Sequence, residues 1–160
     1  MFKNKLSSGK HMVCDICDIK NKELLNSKEL LKEMLNDICI KHNFKTVGEL
    51  DYSFPDQGCT ILFLLSESHI SIHTFPERNH ISFDIYTCHQ YENNKEFIEI
   101  FNFLINSLQA SMNSEYTIVD RNFSNNNKKE SIYLEHLINY FNIFLLILTF
   151  FIFWVYQMKA

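Results

Sequence analysis

The sequence predicts an α+β fold in which an antiparallel sheet carries its helices on one face. Three observations predict it. Segments with strand-like composition outnumber helical ones, several of those strands alternate so that one side is apolar, and the order runs strand, helix, several strands, helix, strand. At 160 residues the chain is long enough for one domain with a proper core.

The first half supplies two strands and a helix. Lys10–Ile19 is rich in β-branched residues and alternates in part, which favours a strand. Ser27 can cap a helix over Lys28–His42, whose apolar residues fall on one side. Lys45–Phe54 alternates loosely and is predicted as the second strand, followed by a turn at Pro55–Gly58.

The second half supplies the remaining elements. Cys59–Leu65 is a continuous apolar run that suits a buried strand, whereas His69–Phe75 and Ile81–Cys88 alternate between apolar and polar residues. Glu96–Leu108 has helical spacing of its apolar residues, and Tyr116–Val119 is a short final strand.

The composition excludes several classes of protein. Apolar residues make up 46% of the chain, with three Gly and two Pro, which describes a folded domain. A net charge of −4 without a basic stripe argues against a nucleic-acid partner. Five cysteines and a start without a hydrophobic run argue against a disulfide scaffold and a signal peptide, so we expect a cytoplasmic main domain.

The composition changes towards the C-terminus. We divide the chain into a main domain at 1–121, a polar linker at 122–131 and a hydrophobic C-terminal helix at 132–160. Ile138–Tyr156 is 19 residues without a charge; as a helix it would span about 28 Å, close to the hydrocarbon thickness of a bilayer. We expect a membrane anchor, which would make the protein tail-anchored; the alternative is a core or dimer-interface helix.

The residues that carry chemistry lie on and beside the predicted fourth and fifth strands. Ser68 and His73 are a nucleophile and a base in principle, but Ser and His on the polar side of a half-buried strand are common. Cys88 ends the next strand, and without further information a small buried apolar residue is the favoured interpretation of it. Cys14 and Cys17 form a C-x-x-C pair without a second pair, and on a strand their sulfurs would face opposite sides.

The run SESHISIHTFPE at Ser66–Glu77 resembles the segment around the self-cleavage site of prokaryotic S-adenosylmethionine decarboxylases. DIYTC at Asp84–Cys88 resembles the motif that ends in the catalytic cysteine of that family, and Gly9-Lys10-His11 also fits. The similarity extends over about residues 9–121. The resemblance implies an α+β domain that dimerises into a helix–sheet–sheet–helix sandwich with active sites near the subunit interface.

The resemblance assigns roles to five residues. Cleavage between Glu67 and Ser68 would convert Ser68 into a pyruvoyl group, and His73 would remove the Cα proton of Ser68. Thr60 stands near the position of a processing serine and keeps the hydroxyl. The pyruvoyl ketone would form a Schiff base with the substrate, and Cys88 would return a proton to the α-carbon of the substrate. No metal and no dissociable cofactor are implied.

Three further residues match the substrate contacts of the family. Phe54 and Phe75 align with the aromatic pair around the adenine, and Glu77 aligns with the acid that binds the ribose hydroxyls. The alternative for either Phe is a core residue. The sequence also departs from the family, because Phe75 replaces the usual Trp. Arg78-Asn79-His80 stands in place of a Tyr-Gly-Tyr type of turn, and His89 follows Cys88 where Gly is common.

The expected reaction is decarboxylation of S-adenosylmethionine, with release of CO₂, to the aminopropyl donor used for spermidine. Two alternatives stay open. One is a pyruvoyl-dependent decarboxylase of another amino acid, such as ornithine or arginine, because the departures lie in the substrate region. The other is a non-catalytic, membrane-attached homologue that keeps the fold without cleaving itself.

Overall fold

The fold is described from a computed structural model that covers residues 7–123 together with residues 137, 138, 140, 141 and 143. The chain divides after Phe123 into two units. The strands β1–β6 and the helices α1–α3 given below belong to the first unit, which also contains all the candidate site residues.

The order of elements agrees with the order predicted from the sequence. The elements are β1 (Ser7–Ile16), α1 (Lys22–Asn26), α2 (Lys28–Lys41), β2 (Thr46–Ser53), β3 (Cys59–Leu65), β4 (Ser68–Phe75), β5 (His80–Thr87), α3 (Lys95–Leu108) and β6 (Glu115–Asn122). The short helix α1 and a 3-10 turn at Pro76–Arg78 were not predicted. The first strand ends at Ile16 instead of Ile19, because Asp18 has a φ of 53°, which is incompatible with an extended strand.

The six strands form one antiparallel sheet in the order β2-β3-β4-β5-β1-β6. Consecutive strands β2 to β5 are neighbours, as expected for hairpin connections. The first strand lies between β5 and β6, so β1 is an interior strand of the sheet.

One side of the sheet packs against α2 and α3. Met12, Phe63 and Phe83 from three strands are at most 1% exposed and share one hydrophobic cluster with Leu35 of α2 and Leu104 of α3. Burial of apolar side chains on this scale is the main stabilising contribution to such a domain. The prediction of helices on one face of an antiparallel sheet is confirmed.

The second helix is fixed at its start and along its exposed side. The side chain of Ser27 accepts a hydrogen bond of 3.2 Å from the Leu30 amide, so the predicted cap is confirmed. Lys28 and Lys32 on this helix reach Asp51 of β2 at 2.7 and 2.5 Å. These hydrogen bonds, first of all the one from Lys28, hold the pKa of the Asp51 carboxyl below its usual value.

The opposite side of the sheet, here called the open face, is the side away from α2 and α3. It carries polar and aromatic side chains at alternate positions of the strands, among them His11, Thr60, His73, Asp84 and Tyr86. Exposed apolar side chains accompany them at Val13, Leu50, Tyr52, Leu64 and Val119.

The predicted C-terminal helix lies mostly outside the described residues. Its described positions, Leu137, Ile138, Tyr140, Phe141 and Ile143, are helical. Within the described part of the chain, no helix is both long enough and apolar enough to span a bilayer. The membrane anchor and the linker at 122–131 therefore stay predictions, as does the cytoplasmic location.

Candidate active site

The predicted cleavage site lies in the turn between β3 and β4. Leu65 pairs with Ser68 across the hairpin, so Ser66 and Glu67 form the turn and Ser68 is the first residue of β4. On the other side, Ser68 pairs with Thr87 at the end of β5. The next residue, Cys88, donates its amide to the carbonyl oxygen of Glu67 over 3.2 Å. The sheet thus brings Glu67, Ser68 and Cys88 together.

The thiol of Cys88 is exposed and has a defined neighbour. Its Sγ lies 3.7 Å from the hydroxyl of Tyr86, and that hydroxyl donates a hydrogen bond of 2.7 Å to the Ser8 carbonyl on β1. The guanidinium of Arg121 stands 5.2 Å from the centre of the Tyr86 ring. Tyr86 was not predicted as a site residue, although alternation along a strand places residues 86 and 88 on the same side.

A second contact missed from the sequence joins His89 to Glu67. The His89 Nδ1 is 3.0 Å from a Glu67 carboxylate oxygen, and both side chains are more than half exposed. Consecutive residues, Cys88 and His89, therefore contact the backbone and the side chain of the residue before the predicted cut. An exposed pair of this kind contributes little to stability.

Gly9 allows β1 to approach the end of β5 closely. It has a φ of 125°, and a Cβ at this position would lie 2.0 Å from the Thr87 carbonyl oxygen and 2.9 Å from the Cys88 Cα. No other residue type fits this contact without moving the backbone. The Gly9-Lys10-His11 motif thus fixes the backbone next to the predicted catalytic cysteine, while Lys10 forms an ion pair with Asp120.

A second group of predicted residues lies further along the open face. The Thr60 hydroxyl is 2.8 Å from the His73 Nδ1, and the two residues are cross-strand partners on β3 and β4. Both side chains are half-buried. The two predicted processing residues are therefore in direct contact with each other.

The two groups are separated within one chain. Ser68 and His73 are five residues apart on the same strand, which corresponds to roughly 16 Å at about 3.3 Å per residue. Ser68 also shares the helix-facing side of β4 with Ile70 and Ile72, whereas His73 is on the open face. Within one protomer His73 therefore does not reach the Cα proton of Ser68.

The three predicted substrate residues lie at the His73 end of the sheet. Phe54 follows β2 and its amide bonds to the Gly58 carbonyl; its ring is 5.2 Å from that of Tyr52. Phe75 ends β4, with its ring 5.9 Å from that of His80. Both Phe side chains are exposed, at 47% and 39%, which argues against the alternative that they belong to the core. Glu77 is also exposed, in the 3-10 turn.

A cluster of rings lies on the open face close to Cys88. His11 is 5.8 Å from Tyr86 and 6.4 Å from His69 between ring centres, and its Nε2 is 3.8 Å from an Asp84 oxygen. Burial lowers the pKa of His11 in spite of Asp84, with Arg121 acting in the same direction as burial. These rings surround Tyr86 and fix its position.

The C-x-x-C pair does not form a site in the described residues. Cys14 is buried on the helix-facing side of β1, where burial raises the pKa of its thiol to about 12, and Cys17 follows the strand. Residues 7–123 contain no group of three or more His, Cys, Asp or Glu side chains arranged to hold a metal ion.

Comparison with known proteins agrees with the sequence motifs. The family model described as S-adenosylmethionine decarboxylase matches residues 10–122, which is most of the chain. The chain belongs to the S-adenosylmethionine decarboxylase family. The match includes both the Ser66–Glu77 and Asp84–Cys88 motifs, so the predicted family membership is confirmed.

Curated members of the S-adenosylmethionine decarboxylase family match one half of this chain. The S-adenosylmethionine decarboxylase proenzymes of Symbiobacterium thermophilum and Archaeoglobus fulgidus are 39% and 32% identical over 80 residues, or 50% of this chain. The matched segment spans 60% and 70% of those proteins, and 59% of the proenzyme from Brevibacillus brevis, which is 39% identical.

A solved member of the family has the same fold. The crystal structure of the adenosylmethionine decarboxylase from Aquifex aeolicus superposes with a TM-score of 0.64 over 74% of this chain and 94% of that one, at 24% identity. This likeness supports the antiparallel sheet that the sequence predicts.

Proposed function

We propose that this protein cleaves itself between Glu67 and Ser68 and, as a pyruvoyl-dependent enzyme, decarboxylates S-adenosylmethionine to the aminopropyl donor for spermidine. The observation that carries the proposal is the hydrogen bond of 3.2 Å from the Cys88 amide to the Glu67 carbonyl, beside Ser68. Membership of the family and the word proenzyme in the names of its relatives agree with it.

The cleavage chemistry starts at the Glu67 carbonyl. The Ser68 hydroxyl attacks this carbon, the C–N bond breaks, and the amide becomes an ester in an N-to-O acyl shift. The carbonyl oxygen gains negative charge during the attack, and the Cys88 amide is already directed at it. Removing one such donor typically costs a factor of about 10²–10³ in rate. Loss of the Ser68 Cα proton then eliminates the Glu67 carboxylate, which frees residues 1–67 and leaves residue 68 as dehydroalanine at the start of residues 68–160. Water converts this dehydroalanine, through its imine form, into the pyruvoyl ketone, and ammonia is released.

The base for that second step comes from another protomer in this proposal. Thr60 and His73 contact each other but lie roughly 16 Å along the strand from Ser68. A second copy packed on the open face, related by a two-fold axis, would place its Thr60 and His73 at the Ser68 of the first copy. The half-buried polar side chains and exposed apolar residues of the open face support such a helix–sheet–sheet–helix homodimer.

The residues present fit a pyruvoyl group at position 68. Ser68 pairs with Thr87, the residue before Cys88, and the exposed Cys88 thiol would be the proton donor for an N-terminus created at Ser68. The pyruvoyl ketone supplies the carbonyl that takes the substrate amine and accepts the electron pair left by CO₂. Cys88 then holds the proton that returns to the α-carbon of the substrate. No metal is part of this proposal.

The substrate region supports an adenosyl group. Phe54 and Phe75 flank Gly58, which has no side chain to fill the space between them. Two strand spacings of about 4.8 Å give roughly 10 Å, which is enough for a planar ring between two aromatic faces. Both faces are also able to attract the sulfonium charge. Glu77 follows in the adjacent turn and would accept hydrogen bonds from the ribose hydroxyls.

The proposal is tested on the freshly expressed whole protein. Mass spectrometry should find two fragments that meet between Glu67 and Ser68, with the second fragment blocked at its N-terminus by a borohydride-reducible ketone. CO₂ release should then be assayed with S-adenosylmethionine, ornithine and arginine. An intact chain would contradict the enzymatic proposal and favour the non-catalytic homologue, whereas a cleaved chain active only on ornithine or arginine would correct the substrate.

A further inference from the structure

Tyr86 is the last residue but one of β5, and Cys88 follows the strand directly, with its side chain turned to that of Tyr86. The Cys88 Sγ is 3.7 Å from the Tyr86 hydroxyl oxygen, within hydrogen-bonding distance for a thiol donor. The thiol is exposed, whereas the tyrosine is half-buried. The contact with Tyr86 therefore holds in place the Cys88 side chain, which otherwise faces solvent.

The direction of that hydrogen bond is fixed by the second partner of the tyrosine. A phenolic hydroxyl has one proton to donate, and the Tyr86 proton goes to the Ser8 carbonyl over 2.7 Å. Only lone pairs of the oxygen are left for Cys88. The thiol therefore donates to the tyrosine, which holds the sulfur in one position.

The tyrosine itself is held from several sides. The Arg121 guanidinium of β6 lies 5.2 Å from its ring centre, and the rings of His11 and His69 lie at 5.8 and 6.1 Å. Together with the bond to Ser8, these neighbours come from three strands besides its own. The Tyr86 hydroxyl is therefore held in a fixed position and can in turn position the Cys88 thiol.

We propose that Tyr86 is a positioning residue that directs the Cys88 proton to one carbon of the substrate; this rests on the function proposed above. After CO₂ leaves, its electron pair is shared between the substrate α-carbon and the carbon of the former ketone. In the productive step, the S–H bond breaks, a C–H bond forms at the α-carbon, and the thiolate takes a new proton from water. Hydrolysis then releases the product amine and restores the ketone.

Delivery of the proton to the other carbon has a distinct outcome. The electron pair then forms a C–H bond on the prosthetic group, and hydrolysis with water releases an aldehyde and leaves alanine at position 68. Such a chain is inactive, and its N-terminus becomes open to sequencing as Ala-His-Ile. A thiol that is not held in place should make this error more often.

The test compares Tyr86→Phe with Tyr91→Phe in the full chain. Both variants lose one phenolic hydroxyl near the end of β5, but the Tyr91 hydroxyl accepts from Thr87, whereas the Cys88 thiol donates to Tyr86. After incubation with S-adenosylmethionine, we expect Tyr86→Phe to accumulate N-terminal alanine about tenfold faster per turnover, the factor that corresponds to one lost hydrogen bond. Tyr91→Phe and wild type should agree with each other, and all three chains should cleave at similar rates.

The outcomes separate this inference from the function on which it rests. If the wild-type chain does not cleave itself, the proposed function is contradicted, and the proposed role of Tyr86 is contradicted with it. Normal cleavage of all three chains with equal alanine formation in Tyr86→Phe and wild type leaves the function standing and overturns only the positioning role. A Tyr86→Phe chain that fails to cleave also overturns it, because the hydroxyl would then act before decarboxylation.

Discussion

The amide of Cys88 donates a hydrogen bond to the carbonyl oxygen of Glu67, and this contact joins the residue after β5 to the turn before β4. The same residue thus has two separate chemical groups at the site. Its backbone faces the bond that is proposed to break, and its thiol is proposed to act on the substrate. Cleavage and turnover are therefore separable by substitution.

Ser68→Ala should leave the chain intact, because no hydroxyl is present to attack the Glu67 carbonyl. Ser66→Ala is the matched control, since Ser66 lies in the same turn and its contact there is made by its backbone amide, with the Lys45 carbonyl. Gel electrophoresis under denaturing conditions distinguishes the two results. Fragments from Ser68→Ala would show that the scissile bond is elsewhere.

Mixing two inactive variants should restore cleavage if the base comes from the second protomer. Neither Ser68→Ala nor His73→Ala should cleave alone. In a mixed dimer, the Ser68 of the His73→Ala chain meets the intact His73 of its partner, so only the His73→Ala chain should be cut. We expect about half of the sites in each mixed dimer to be competent. Absence of cleavage after co-expression, with mixed dimers demonstrated by affinity tags, would contradict the two-protomer site.

Gly9→Ala should destabilise the domain, whereas Gly48→Ala should be nearly neutral. The positive φ of Gly9 alone makes alanine unfavourable by about 1–3 kcal/mol, and the clash with the Thr87 carbonyl adds to this. A Cβ on Gly48 meets only the Leu64 side chain, at 3.7 Å. Thermal unfolding of both variants in a Ser68→Ala background checks this without interference from cleavage. Equal melting temperatures of the Gly9→Ala and Gly48→Ala variants would contradict this prediction.

Iodoacetamide should alkylate Cys88 first and Cys14 last. The Cys88 thiol is exposed, whereas Cys14 is buried with a pKa raised to about 12, so almost none of it is thiolate at neutral pH. Burial also raises the pKa values of Cys39 and Cys59. Peptide mapping of the folded protein over time gives the order. Rapid labelling of Cys14 would mean that β1 is not packed as described.

Asp51→Asn should reduce stability at neutral pH, and the difference should disappear in acid. The pKa of Asp51 is lowered in the folded state by hydrogen bonds from Lys28 and Lys32. A lowered carboxyl pKa contributes stability above the pKa of the unfolded chain, and this contribution is lost as the pH falls through the folded value. Melting temperatures of wild type and variant across this range test the sign. A difference in melting temperature that increases as the pH falls would contradict this prediction.

The sequence predicted the strands and the long helices because their apolar periodicity reflects which side each element buries. Alternation in His69–Phe75 placed Ile70 and Ile72 on the buried side, as the structure has them. The first strand was predicted too long because the left-handed conformation of Asp18 depends on its tertiary surroundings. Helix α1 was missed because five residues are too few to show a helical period.

The site was harder to predict than the fold. Sequence motifs identified Ser68, His73 and Cys88 as one set, but the linear sequence contains no distance, and the strand geometry separates His73 from the other two. Tyr86 and His89 were missed for a related reason. Their partners, the Ser8 carbonyl and the Glu67 carboxylate, are distant in the sequence and become neighbours only through the strand register.

The strand order has a consequence for the protein after a cut between Glu67 and Ser68. The N-terminal piece would keep β1, β2 and β3, and the C-terminal piece β4, β5 and β6, yet β1 is threaded between β5 and β6. Separating the pieces would require three ladders to open, those of β3 with β4 and of β1 with both of its neighbours. A processed molecule would thus behave as an interlocked heterodimer that dissociates only on unfolding, and regaining its shape afterwards would depend on protein concentration.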